Sequence, residues 1–185
     1  AMRYNDRAVL ESHHVATGFE LLKNPALDIT EKLSDADAKR FREVVTTIVL
    51  GTDMAVHGPH LNSLKERITK ADLDLDANEA DRLQVLQVLV HAADISNLAR
   101  APSISHKWTK RVNAEFVAQG KLEIELGLPI SPNCDPSNTG DIALARGQVG
   151  FVDFVVLPLY RTLEDVLPDL APVVEQLIDT RNGWA

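Results

Sequence analysis

Apolar residues recur at three- and four-residue spacing along nearly the whole chain, and few stretches alternate in the manner of a β-strand. This spacing places side chains on one face of an α-helix, because a helix has about 3.6 residues per turn. Clusters of proline, glycine and asparagine divide the pattern into segments. We therefore expect an all-α fold in which the helices pack into a compact multi-helix bundle.

The interruptions predict where each helix begins and ends. The sequence predicts helices over about 6–22, 34–56, 59–69, 79–93, 103–125, 141–160 and 163–180. Ser34 is expected to cap the second helix, because its hydroxyl can accept a free backbone N–H at the helix start. Pro158 is expected to kink or end the sixth helix, since proline lacks an N–H. The polar stretch 70–78 is expected to be a solvated connector, and the irregular stretch 127–140 has the composition of loops that border sites.

Composition narrows the class of protein. The chain has 185 residues and 45% hydrophobic content, which suits one domain with a sizeable core. Its formal net charge of -8 opposes binding to a nucleic-acid backbone. Cys134 is the single cysteine, so we expect neither a disulfide framework nor a thiolate zinc cage. A single cysteine is consistent with a reducing compartment, and we expect a cytoplasmic location. We expect no membrane span, because the apolar runs fall short of the length of about 20 residues that a spanning helix needs.

The segment 89–97, Leu-Val-His-Ala-Ala-Asp-Ile-Ser-Asn, ends an apolar helix with His91 and Asp94 three residues apart. The partial negative charge at a helix C-terminus disfavours an aspartate there, by about 0.3–1 kcal/mol at exposed sites. A cation near Asp94 would offset this cost. We expect a metal ion, because hard divalent ions take carboxylate oxygens and a nearby histidine can orient such a ligand.

Two further sets of polar residues lie within apolar helices. Glu11 and His14 are three residues apart, so they share one helix face. Thr52 and Asp53 follow an apolar run and precede His57 by about one turn. Polar groups buried in such places need partners. The alternative for the first set is a solvated pair or a satisfied core histidine, and the alternative for the second is a capping network at a helix end.

Gln148 and Phe151 form a fourth constellation, with Gly150 keeping the surface between them open. A glutamine amide offers both a donor and an acceptor to the edge of a base, and a phenyl ring can stack on its face. The pair could hold a flat heterocycle. Ordinary helix packing is the alternative.

Taken in order, these segments resemble the class I 3',5'-cyclic-nucleotide phosphodiesterases. The matching motifs are Tyr4-Asn5-Asp6 with Val9-Leu10-Glu11-Ser12-His13-His14, Thr52-Asp53-Met54 with His57, His91-Ala92-Ala93-Asp94-Ile95-Ser96-Asn97, Trp108-Thr109, Glu115-Phe116 with Gln119-Gly120, Ser131-Pro132-Asn133-Cys134-Asp135, Gln148-Val149-Gly150-Phe151-Val152-Asp153 with Pro158-Leu159, and Arg181-Asn182-Gly183-Trp184. The resemblance implies the all-helical, HD-superfamily-like fold of that family and covers nearly the whole chain.

The resemblance also implies roles for individual residues. It implies two divalent metal ions, a zinc and a magnesium or manganese, which share a hydroxide that attacks the phosphorus of a cyclic nucleotide. Asp94 matches a direct zinc ligand, and Glu11 and Thr52 match residues that bond the waters of the other metal. The implied nucleotide side comprises Asn97 and Gln148 at the purine edge, Phe151 beneath the base, and Met54, Ile95, Trp108, Val112 and Phe116 in the pocket wall. Family members with asparagine at the position of Asn97 are mostly cAMP enzymes, so the resemblance favours cAMP over cGMP.

Two histidine motifs of the family, His-Asn-x-x-His and His-Asp-x-x-His, do not occur in this sequence. In the family they supply the remaining direct metal ligands and the acid that protonates the leaving group. One carboxylate cannot hold two metal ions. We therefore expect residues 1–185 to be the C-terminal part of a single phosphodiesterase catalytic domain, which needs the missing N-terminal half as its partner and is inactive alone.

Two other interpretations remain open. A degenerate phosphodiesterase fragment could act as a nucleotide-binding or protein-interaction module, although such a module has no need of Glu11, Thr52 and Asp94 together. A di-iron carboxylate bundle could use Glu11 and His14, but it requires a second Glu-x-x-His, and the sequence has none.

Overall fold

Every regular element in the computed structural model, which describes residues 1–138 and 140–185, is helical. The α-helices are α1 (Val9–Leu21), α2 (Asp35–Leu50), α3 (His57–Lys70), α4 (Glu79–Asp94), α5 (Pro102–Glu125), α6 (Asp141–Phe151), α7 (Leu157–Val166) and α8 (Ala171–Asn182). Short 3₁₀ turns lie at Met2–Tyr4, Met54–Val56, Ser96–Ala99 and Pro168–Leu170, and a π-helical turn spans Val152–Val156. The prediction of an all-α fold is confirmed.

The backbone divides into two compact units, the first unit from Ala1 to Asp94 and the second unit from Ile95 to Ala185. In the first unit α2 contacts both α1 and α4, and α3 contacts α4. In the second unit α8 contacts α7 and the 3₁₀ turn Ser96–Ala99, and this turn also contacts α5. The cores are formed by Leu61, Leu64, Val85, Val88 and Ala92 in the first unit and by Leu98, Val152, Val156, Leu159, Leu163, Val174 and Leu177 in the second.

Helix α2 begins as predicted and ends earlier than predicted. The Ser34 hydroxyl accepts the Asp37 backbone N–H at 3.2 Å, which is the expected cap. The helix ends at Leu50 rather than near Val56. The reason is that the Asp53 carboxylate accepts the Ala55 N–H at 2.8 Å and starts a 3₁₀ turn, so local side-chain bonds replace helical ones.

The connector between α3 and α4 is not merely solvated, contrary to the prediction. Asp81 is 1% exposed, and Arg67 donates to both of its carboxylate oxygens, at 2.6 and 3.0 Å. The Asp74 backbone N–H also donates to Asp81, at 2.8 Å. The Arg67 guanidinium holds the pKa of Asp81 below its usual value. Asp81 lies in the first turn of α4, so this buried charge links both α3 and the connector to the start of α4.

The helix predicted over 141–160 is interrupted by the π turn Val152–Val156. Pro158 has no N–H to donate to the carbonyl of Phe154, so a regular α-helix cannot run through this point, and a π turn accommodates the missing bond. The helix predicted over 163–180 is two helices, α7 and α8. They separate at Leu167, because a residue before proline disfavours the α conformation, and Leu167 has φ −129° and ψ 80°.

Within the part of the chain that the structure describes, one stretch, Asp141–Val166, is long and apolar enough to cross a membrane by length and composition. Core helices of soluble proteins pass the same test, so a single stretch of this kind is weak evidence for a span. Its residues Val152, Val156, Leu159 and Leu163 are at most 1% exposed and belong to the core of the second unit.

Helix α5 and the loop that follows it approach each other closely at Gly120. A Cβ at this position would overlap the carbonyl oxygen of Cys134, which belongs to the backbone and cannot rotate away. One turn later the Glu123 carboxylate accepts the backbone N–H of Ser131 at 2.7 Å and its hydroxyl at 2.5 Å. These contacts fix the start of the loop. Cys134 is a free, buried cysteine, and burial raises the pKa of its thiol.

Candidate active site

The three residues predicted for the metal side of the site, Glu11, Thr52 and Asp94, line one cavity of the first unit together with His14. Glu11 and His14 reach it from α1, Thr52 from the turn after α2, and Asp94 from the last position of α4. The cavity has a volume of about 480 Å³, and its apolar lining consists of Leu10, Val49, Val90 and Ala93. The cavity thus combines two carboxylates, an imidazole and a hydroxyl.

The donors in this cavity form only part of a metal shell. Carboxylate and imidazole groups suit zinc, and carboxylates suit magnesium or manganese. The described residues contain no group of three or more His, Cys, Asp or Glu side chains that could hold a metal ion. The metal roles of Asp94, Glu11 and Thr52 therefore stay predictions, and a complete shell needs ligands beyond those described.

The side chain of Thr52 is fixed by a bond to its own helix. Its hydroxyl donates to the Val49 carbonyl oxygen at 2.7 Å. A hydroxyl oxygen whose proton is used in this way still has lone pairs that accept hydrogen bonds. Thr52 is therefore oriented to accept a bond from a water molecule in the cavity.

A pair of histidines joins the first residue of α3 to α4 in the first unit. His57 Nδ1 and His91 Nε2 are 2.9 Å apart, and His91 is 3% exposed. Sequence spacing groups His57 with Asp53 and His91 with Asp94, and it does not predict this pair. Helical periodicity reports which residues share a face, and nothing in it connects positions 34 residues apart.

The histidine pair predicts that stability falls in mild acid. Burial, followed by the neighbouring His91, lowers the pKa of His57, and burial lowers the pKa of His91 although Asp94 offsets part of this effect. Below about pH 6.5 the unfolded chain binds protons at these two side chains, whereas the folded chain binds fewer because their pKa values are lowered. The free energy of unfolding that is present at neutral pH is therefore lost as the pH falls. We expect the melting temperature to decrease between about pH 7.5 and 5.5, and to decrease less in a His57→Gln variant.

The matched control for this prediction is His13→Gln, which replaces an exposed histidine on α1. It should keep the pH dependence of the parent protein. Equal pH dependence in the parent and the His57→Gln variant would contradict the assignment.

Gln148 is held by a hydrogen bond within the second unit. The hydroxyl of Thr109, a residue that is 2% exposed, donates to Gln148 Oε1 at 3.1 Å. Because a hydroxyl can donate or accept, the same contact is compatible with either orientation of the amide. Thr109 belongs to the family-like motif Trp108-Thr109, but its contact with Gln148 is not predicted by the sequence.

The predicted pocket-wall residues on α5 form an exposed apolar stripe. Trp108, Val112 and Phe116 recur every four residues, so they share one face, and they are 48%, 37% and 36% exposed. Such a stripe is available to an apolar ligand. The other predicted residues of the second unit, Ile95, Asn97, Gln148 and Phe151, are half-buried, whereas Met54 of the first unit is 47% exposed.

Comparison with known proteins decides the family. Residues 1–177 match the model of the 3'5'-cyclic nucleotide phosphodiesterase family, PDEase_I. The chain belongs to this family. Rattus norvegicus 3',5'-cyclic-AMP phosphodiesterase 4C is 41% identical over 190 aligned positions, which cover 100% of this chain and 35% of that relative. The probable 3',5'-cyclic-AMP phosphodiesterase pde-4 of Caenorhabditis elegans is 38% identical, with 100% of this chain and 28% of that relative covered.

The fold agrees with solved structures of the family. The crystal structure of the phosphodiesterase domain of Salpingoeca rosetta rhodopsin phosphodiesterase matches with a TM-score of 0.94 and 33% sequence identity. The match covers 100% of this chain and 56% of that one. The family resemblance and the phosphodiesterase fold are therefore confirmed, and the chain spans about a third of the curated relatives that it matches.

Proposed function

We propose that the protein to which this chain belongs hydrolyses 3',5'-cyclic nucleotides to 5'-nucleoside monophosphates in a metal-dependent reaction, with cAMP preferred over cGMP. The observation that carries the proposal is the cavity in which Glu11, Thr52 and Asp94 meet, in a chain of this family. The names of the relatives, which are cAMP phosphodiesterases, support the choice of substrate. We place the reaction in the cytoplasm, in keeping with the single cysteine.

On the metal side, Asp94 is proposed to bind zinc directly, and Glu11 and Thr52 to bond waters of a second ion, magnesium or manganese. Divalent ions supply an activated water and neutralise charge that develops on a phosphate. The bond from Thr52 to the Val49 carbonyl suits this role, because it leaves the hydroxyl oxygen free to accept. We propose that the remaining ligands come from outside the described residues and that the isolated chain therefore has no hydrolytic activity.

On the nucleotide side, Gln148 and Asn97 are proposed to meet the purine edge, and Phe151 to lie beneath the base. Ile95, the α5 stripe of Trp108, Val112 and Phe116, and Met54 are proposed as apolar wall. Since the Thr109 hydroxyl accommodates either orientation of the Gln148 amide, Gln148 can serve either purine. The proposed preference for cAMP therefore depends on Asn97.

A second candidate function is a nucleotide-binding or protein-interaction module. The observation in its favour is that the described residues hold no cluster of three metal-binding side chains. Such a module would bind nucleotide through the second unit without hydrolysing it. Metal-dependent turnover separates the two candidates.

Hydrolysis of cAMP and cGMP should be measured side by side on the full-length protein, with and without EDTA. We expect turnover that EDTA removes, with a higher kcat/KM for cAMP, and an Asn97→Ala variant should lose about tenfold of that preference, because an unpaired purine edge loses a hydrogen bond. The control is Asn62→Ala, at an exposed position on α3, which should keep the parent preference. Full cAMP preference in Asn97→Ala contradicts the role of Asn97, and nucleotide binding without turnover favours the module.

A further inference from the structure

The end of α8 makes a bidentate ion pair that the proposed function does not use. Arg181 donates to the two carboxylate oxygens of Asp153, from Nε at 2.9 Å and from Nη2 at 2.8 Å. The two side chains are 32% and 31% exposed. The planar guanidinium matches the carboxylate with two parallel bonds, so the pair fixes orientation as well as distance. The Arg181 guanidinium also holds the pKa of Asp153 below its usual value, so the carboxylate stays charged at neutral pH.

Asp153 occupies a position from which it can set the orientation of α6. It is the second residue of the π turn Val152–Val156, two residues after Phe151 and five after Gln148. A π turn contains more residues per turn than an α-helix, so the rotation of the preceding helix depends on how this turn is held. Val152 and Val156 hold its apolar side, at 0% exposure, and Asp153 holds its polar side.

The same end of α8 also contacts α5. The ring of Trp184 meets the ring of His106 edge to face, with centroids 4.5 Å apart and an interplanar angle of 74°. His106 lies on α5 two residues before Trp108 and three before Thr109. The segment 181–184 thus contacts α5, which carries the apolar stripe, and the π turn that directly follows α6, which carries Gln148 and Phe151.

We propose that Arg181 is a positioning residue for nucleotide binding. Through Asp153 it holds the π turn, and the π turn sets the direction in which Gln148 and Phe151 project from α6. Trp184 restrains α5 through the contact of its ring with the ring of His106. This inference rests on the proposed nucleotide-binding roles of Gln148 and Phe151. An ion pair of this exposure contributes little to stability as a rule, so its effect on the site can be separated from its effect on the fold.

The test compares Arg181→Met, Asp153→Asn and Arg181→Lys in the full-length protein, using cAMP hydrolysis, binding of 5'-AMP and thermal melting. We expect KM for cAMP and Kd for 5'-AMP to rise about tenfold in Arg181→Met and Asp153→Asn, with kcat within about twofold of the parent. Arg181→Lys should fall between the parent and Arg181→Met, because lysine keeps the charge but loses the paired bonds. Arg161→Met, which replaces an exposed arginine on α7, is the matched control and should leave both constants unchanged.

A lower melting temperature with unchanged KM and Kd would show a structural role alone and overturn the proposal. Equal constants in Arg181→Met and Arg161→Met would also overturn it. Gln148→Ala in the same assays separates this failure from failure of the proposed function. If Gln148→Ala raises KM and Arg181→Met does not, the positioning role fails by itself. If Gln148→Ala has no effect, the nucleotide-side assignment fails, and this inference fails with it.

Discussion

Replacing Asp94 with alanine in the full-length protein is expected to abolish cyclic-nucleotide hydrolysis, with kcat reduced roughly a thousandfold or more. Asp94 lies at the last position of α4 and lines the cavity that also contains Glu11 and Thr52. Loss of its carboxylate removes a proposed zinc ligand, so bound zinc should fall together with activity. The measurements are turnover at saturating cAMP and the zinc content of the purified protein.

Asp76→Ala is the control for this experiment. Asp76 is an exposed aspartate of the first unit, on the connector between α3 and α4, so it offers the same change of charge away from the cavity. It should retain parental activity and zinc. Normal turnover by Asp94→Ala would overturn the metal assignment, because the described residues contain no three-ligand cluster that could replace it.

Replacing Gln148 with alanine is expected to weaken nucleotide binding far more than turnover. The change removes the amide that is proposed to bond the purine edge and leaves the hydroxyl of Thr109 without this partner. We expect KM for cAMP to rise about ten- to a hundredfold with a much smaller change in kcat, since the proposed contact of the amide with the base would be made in the ground state and in the transition state alike. Initial rates over a range of cAMP concentrations give both constants.

A matched glutamine is available in the same unit. Gln176 on α8 donates to the hydroxyl of Thr180 at 3.5 Å and has no proposed role at the nucleotide site, so Gln176→Ala should leave KM unchanged. Ordinary helix packing is the alternative role for Gln148, and it predicts a lower melting temperature without a change in KM. That outcome would remove Gln148 from the nucleotide site.

The fold class could be predicted from the sequence because each helix carries its own local signals. Ser34 caps α2 as expected, since a cap depends on residues only three positions apart. The interruption at Asp53 was missed, and the interruption of the sixth helix, expected at Pro158, begins earlier at the π turn Val152–Val156, because apolar periodicity continues through both places. They depend on a choice between helical and side-chain bonds that periodicity does not register.

Residue spacing could predict only those parts of the candidate site that share a helix, whereas the grouping of Glu11, Thr52 and Asp94 came from the resemblance to the family. The three-residue spacing of Glu11 and His14 places both in one cavity, as the structure shows. Contacts across long stretches of chain were not predictable from spacing. The bonds between Thr109 and Gln148 and between Arg181 and Asp153 join positions 39 and 28 residues apart. Such pairs follow from how helices pack, which a helix pattern by itself does not determine.

The contact between Gly120 and the carbonyl of Cys134 has a consequence for comparing relatives of this chain. Any side chain at position 120 would collide with the backbone of the following loop, so a relative without glycine there must carry that loop along another path. Residue-by-residue alignment through the loop is therefore meaningful only among sequences that keep this glycine. Position 120 is a simple marker for deciding which family members can serve as templates for this region.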